Sequence, residues 1–110
     1  MSGNRTTKKW TQLISGRTAV LVLSGELDLA TVEDLERFLD GMRHTGADCV
    51  VLDLSEVSFI DCQSMRIIGH AALAALSTGM DVRVVGLSNL SALVFRVCGL
   101  GELLPAEGPG

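Results

Sequence analysis

No stretch of this chain of 110 residues approaches the ~20 consecutive apolar residues that cross a bilayer, which argues against membrane insertion. The first nine residues are polar, so no secretory signal is expected there. Basic residues are scarce: 9 Lys and Arg stand against 13 Asp and Glu, for a formal charge of −4. A nucleic-acid partner would need a basic face to displace counterions from phosphates, so that class is excluded. The three cysteines, Cys49, Cys62 and Cys98, form no CxxC pair and have no metal-ligand spacing. Reduced thiols in a cytoplasmic protein are the simplest account. Catalytic signatures are missing as well: there is no GxGxxG, P-loop, GxSxG or HExxH. No enzyme, no cofactor and no metal site is expected.

What remains is the composition of one globular domain, with 47% apolar and 20% charged residues. A chain of this length buries roughly two-thirds of its unfolded surface, enough for one core. Its charge is uneven. Residues 1–18 hold Arg5, Lys8, Lys9 and Arg17 with no acid, a charge of +4, which leaves −8 on residues 19–110. The basic head reads as a solvated tail or edge strand. The acidic body suits a partner with a basic docking surface and disfavours anionic membranes.

Two β-prone runs, Trp10–Ser15 and Thr18–Ser24, flank Ser-Gly-Arg and predict a hairpin. The second run is nearly all apolar and belongs inside a sheet. Gly25-Glu26-Leu27-Asp28 is expected to break it. Thr31 and Asp34 have the spacing of a capping box for a first helix, with Val32, Leu35, Leu39 and Met42 on its apolar face and Gly46 as its stop. Cys49–Leu54 predicts a second buried strand, followed by a turn over Ser55–Ile60. Asp61 then precedes a second helix running to Thr78 and ended by Gly79, with Met65, Ile68, Ala72 and Leu76 as its core stripe. A third strand follows at Val82–Val85. Ser88 caps a third helix with Leu90, Leu93, Val94 and Val97 apolar and Gly99 as its stop, and a further short strand is allowed at Leu103-Leu104. The order β-β-α-β-α-β-α predicts a single α/β domain: a mixed sheet with an antiparallel opening hairpin, parallel pairs joined through helices, and helices packed against it. The expected boundaries are a flexible basic segment at 1–9, the domain at 10–104 and a flexible tail at 105–110.

Few side chains invite a chemical role. His44 falls near a helix end and His70 within a helix, neither with a partner at a metal-binding interval. Trp10 reads as packing, and Asp53 as a carboxylate bracing the following loop through backbone amides. The segment Phe59-Ile60-Asp61-Cys62-Gln63-Ser64-Met65-Arg66 stands apart, because it puts a polar cluster between a buried strand and a helix start. Free amides and the helix dipole favour negative charge there. The plainer role for Asp61 is the helix cap.

Four features occur in order over residues 18–104: the Gly25-Glu26-Leu27-Asp28 segment, Val-Val-Leu-Asp-Leu-Ser at 50–55, Phe-Ile-Asp at 59–61, and Leu-Val-Phe-Arg-Val-Cys-Gly-Leu at 93–100. Together they resemble the STAS domain of anti-sigma-factor antagonists. That resemblance implies a regulatory binding domain rather than an enzyme. In the family the unphosphorylated domain binds an anti-sigma factor with a serine-kinase-type fold and frees the sigma factor. The loop usually reads Asp-Ser-Ser/Thr-Gly-Leu, and phosphorylation of the serine after the Asp blocks binding. Adding close to two negative charges at a packed interface accounts for that block.

Here the phosphoacceptor position is Cys62, which a serine kinase does not modify; Gln63 follows, and Ser64 stands where the family has Gly. Ser64 as a substitute phosphosite lies two positions late, a rotation of roughly 200° about the helix axis. The favoured expectation is binding to a kinase-type anti-sigma factor without phosphorylation at this loop, through Asp28, Asp61, Cys62, Gln63, Ser64 and Arg66. A second reading is a thiol switch at Cys62, since a helix N-terminus lowers a thiol pKa. Asp61 acts against it, no vicinal cysteine is present, and a buried, inert thiol is the plainer expectation. Pairing with Cys49 or Cys98 would need Cα separations below about 7 Å. A third reading, also from the resemblance, is an accessory or structural subunit of a lipid-transport ATPase or of a stress-signalling assembly.

Overall fold

Alternating burial builds the centre of the sheet. In β2 (Thr18–Leu27), Ala19, Leu21 and Leu23 are wholly buried, and in β3 (Cys49–Ile60) Val50, Leu52 and Leu54 match them. β4 (Asp81–Val85) adds Val82 and Val84 to the same face. This period of two marks a sheet covered on one side. The alternate residues Val20, Val22 and Val51 are half-buried on the other face.

The computed structural model describes residues 10–104, so the expected flexible ends, 1–9 and 105–110, lie outside the described residues. β1 (Thr11–Ser15) pairs antiparallel with β2, β2 pairs parallel with β3, and β3 parallel with β4, giving the order β1-β2-β3-β4. Helices α1 (Val32–Asp40), α2 (Cys62–Ser77) and α3 (Asn89–Val97) complete the expected mixed α/β fold. Leu35 and Leu39 of α1, Ile68 and Ala72 of α2, and Phe95 of α3 join the strand residues in one core. Trp10 is packing, as expected: its ring lies 5.5 Å from that of Phe38, and its Nε1–H donates to the Ser24 carbonyl at 2.9 Å.

Several expectations need correction. Gly25-Glu26-Leu27 does not break β2, and Ser55–Ile60 is strand rather than turn. The two strands stay paired to Leu27 and Ile60 through register shifts at Val22/Ser24 and Gly25/Glu26. Gly25, at φ +80°, supplies the left-handed conformation that such irregularities use. The capping box sits three residues earlier than expected, at Asp28 and Thr31. The Ala30 N–H donates to Asp28 Oδ1 at 3.0 Å and the Asp28 N–H donates to Thr31 Oγ1 at 3.0 Å, while Thr31 makes no side-chain cap for α1. Its hydroxyl is already engaged with the backbone of Asp28. α1 continues into a 3-10 turn at Gly41–His44 before Gly46 reverses the chain at φ +74°. α3 turns Phe95 inward and leaves Leu90, Leu93 and Val97 exposed. Leu103 and Leu104 are buried without forming a strand. Their N–H groups bond locally to the Leu100 and Gly101 carbonyls, so the segment Gly101–Leu103 is a 3-10 turn.

Candidate functional site

The C-terminal ends of β2 and β3 lie side by side. The Asp61 N–H donates to the Leu27 carbonyl at 3.0 Å, which carries the parallel ladder one step past β3. Each strand is therefore followed at the same edge by an aspartate that starts a helical segment. Asp28 caps the 3-10 turn Leu29–Thr31. Asp61, extended at φ −89° and ψ 173°, caps α2 by accepting from the Ser64 N–H at 2.7 Å. A cap of this kind is worth about 1 kcal/mol. Both carboxylates are half-buried and committed to backbone amides.

The first turn of α2 divides sharply. Cys62, Gln63 and Arg66 are exposed, whereas Ser64 and Met65 face the core. Among the described residues the buried Ser64 hydroxyl has no hydrogen-bond partner. Helical rotation is the reason: two residues, roughly 200°, separate the Cys62 side from the Ser64 side. Ser64 is thus removed from the expected docking set, and a kinase could not reach its hydroxyl without opening the helix. The Cys62 thiol, expected to be buried, is exposed. Cys49 is half-buried at the far end of β3, and Cys98 is exposed at the end of α3.

The acidic body is locally neutralised. Each of the chain's seven aspartates has a partner in the chain. Asp34, Asp40 and Asp81 pair with Arg37, Arg43 and Arg83. Asp28 and Asp61 cap helical segments, and Asp53 Oδ1 accepts from the Ser55 N–H at 2.9 Å, the brace expected from the sequence. Asp48 accepts a hydrogen bond from Arg17 at the opposite edge of the sheet; the guanidinium holds that carboxyl below its usual range and is itself held above its own. Near the candidate site the acids without a partner among the described residues are glutamates, Glu26 and Glu56, both exposed beside the β2/β3 end. His44 and His70 are both exposed. Among the described residues no cluster of three or more His, Cys, Asp or Glu could hold a metal ion. No helix there is long and apolar enough to cross a membrane.

Two neighbours of the capping aspartates were not anticipated. Leu29 is 77% exposed directly after Asp28, and Phe59 is 53% exposed two positions before Asp61. Single exposed apolar residues are ordinary, but a pair at one strand edge beside an exposed helix start is the composition of a docking patch. The available signal was an apolar side chain within two positions of each cap.

This arrangement presents a mixed apolar and polar surface. Comparison with known proteins agrees. Residues 10–105 match the family described as "Mlab, STAS domain". The anti-sigma-B factor antagonist of Staphylococcus aureus is 28% identical over 82 residues, covering 74% of this chain and 76% of that protein. A solved anti-sigma-factor antagonist STAS domain from Rhodobacter sphaeroides is 31% identical, covering 72% of this chain and 86% of that one, with a TM-score of 0.63. An anti-sigma factor antagonist from Mycobacterium paratuberculosis, 21% identical, shares the fold at a TM-score of 0.76 over 89% of this chain and 83% of that one.

Proposed function

The chain belongs to the STAS domain family, and from that premise we propose that it is an anti-sigma-factor antagonist, a cytoplasmic, non-catalytic domain that releases a sigma factor by binding its anti-sigma factor. The similarity to anti-sigma-factor antagonists of Staphylococcus and Rhodobacter supports this reading over an accessory role in a transport ATPase. The partner is an anti-sigma factor with a serine-kinase-type fold.

The observation that carries the proposal is the exposed side of the first turn of α2, Cys62, Gln63 and Arg66, held by the Asp61 cap beside the Asp28 cap. Asp28, Leu29, Phe59, Asp61, Cys62, Gln63 and Arg66 form the docking surface. The apolar pair supplies desolvated area; the exposed edge of the cap and the helix start supply polar register. Cys62 occupies the phosphoacceptor position with a side chain close to serine in size, so the surface keeps the shape of the unphosphorylated, binding-competent state. Binding is then constitutive with respect to that kinase.

The test is the affinity of the purified chain for its anti-sigma factor by isothermal titration calorimetry. Asp61→Lys or Cys62→Glu should weaken binding by about tenfold or more, some 1.4 kcal/mol, with circular dichroism unchanged. Wild-type affinity in both folded variants refutes the assignment of the surface.

A further inference from the structure

A groove of about 410 Å³ runs between α2 and the end of α3. That volume falls within the range of small-molecule sites, roughly 300–1,000 Å³. Its floor is apolar: Met65 and Leu100 are nearly buried, and Leu73 and Val94 line the walls. The floor exists because α2 carries Gly69 there. A Cβ at that position would lie 2.5 Å from Leu100 Cδ1, so Leu100 rests directly on the helix backbone.

The polar groups at the rim are cationic or neutral. Arg66 and His70 stand there and no carboxylate among the described residues lines the groove, in a chain whose formal charge is −4. The groove on the other side of His70, between α1 and α2, is lined instead by Glu36, Asp40 and Arg43. Arg66 is distinctive too. Arg17, Arg37, Arg43 and Arg83 each pair with an aspartate, whereas Arg66 has no ion pair among the described residues. An uncommitted guanidinium over an apolar floor suits an amphipathic anion, of which a carboxylate is the simplest. A planar carboxylate takes the guanidinium fork in two parallel hydrogen bonds, and an attached hydrocarbon body displaces water from the floor.

We propose that the α2/α3 groove binds a small amphipathic carboxylate, its acid group on Arg66 and its apolar body against Met65, Leu73, Val94 and Leu100. The proposal does not rest on the anti-sigma-factor reading, because the isolated chain suffices to test it. Decanoate is the probe, titrated by calorimetry and mapped by NMR shifts on the intact chain. Saturable binding is expected, with the largest shifts at Leu73, Val94 and Leu100. Arg66→Gln should weaken it by about tenfold or more, and Leu73→Asp, which places a carboxylate on the wall, should abolish it. Arg43→Gln, in the neighbouring groove, should leave it unchanged. The proposal is overturned by the absence of saturable binding or by shifts centred elsewhere. Equal affinity for decyltrimethylammonium, which shares the tail and reverses the charge, or an undiminished affinity in folded Arg66→Gln overturns it equally.

Discussion

Asp61 has two separable roles, and substitution can split them. Its Oδ1 accepts a 2.7 Å hydrogen bond from the Ser64 N–H, a charge-assisted bond at a half-buried helix start. Asp61→Ala removes the acceptor and leaves that amide without its partner, a loss of about 1–2 kcal/mol. Asp61→Asn keeps a good capping oxygen and removes only the charge facing the helix dipole, worth about 0.3–1 kcal/mol. In a domain of this size each kcal/mol moves the melting temperature by roughly 4–8 °C. Thermal and urea unfolding at neutral pH should rank the proteins wild type, then Asn, then Ala. Because Asn holds the α2 start in place, any loss of partner affinity in Asp61→Asn reports recognition of the charge itself. Equal destabilisation by Asn and Ala, or none by Ala, refutes the capping geometry on which the docking surface is built.

Gly86, at φ +85°, closes the end of β4 against β3, and a Cβ there would lie 2.4 Å from the Ser55 backbone nitrogen. Strain and collision with backbone act together, so Gly86→Ala should cost about 2 kcal/mol or more in urea unfolding, and a loss under ~0.5 kcal/mol contradicts the packing. Asp48 is held below the usual carboxylate pKa mainly by the hydrogen bond from Arg17. A depressed carboxyl stabilises the fold fully above its unfolded value of about 3.9 and loses that contribution as pH falls through the lower folded value. Stability of Asp48→Asn measured against pH should accordingly fall less steeply than wild type below about pH 4, with partner affinity unaffected; an unchanged slope means the pair does not form.

Much of the fold was legible because periodicity is local. The three helices, their order among the strands and the caps at Asp61 and Ser88 all follow from spacing and from a side-chain oxygen at the right step. The failures are non-local. Gly25 and Ser55–Ile60 carry turn chemistry, and only the pairing of β2 with β3 holds them extended. In α3 an apolar residue stands at most positions, so spacing alone does not say that Phe95 is inside and Leu90, Leu93 and Val97 are outside. The candidate site divides the same way. That Asp61 caps and that Ser64 points away from Cys62 are consequences of helix geometry. Adjacency of Asp28 to Asp61 depends on a ladder between distant segments, and the groove beside Arg66 depends on Leu100 reaching Gly69.

The most direct test of constitutive docking uses the position where this chain departs from its family. Wild type and Cys62→Ser are each titrated with the anti-sigma factor before and after incubation with that protein and Mg-ATP, with the intact mass recorded each time. Wild type should bind equally before and after and gain no phosphate. Cys62→Ser should bind at first, then take up one phosphate and lose affinity by about tenfold or more. Failure of wild type to bind, or an ATP-dependent loss of its binding with phosphate on the chain, contradicts the account.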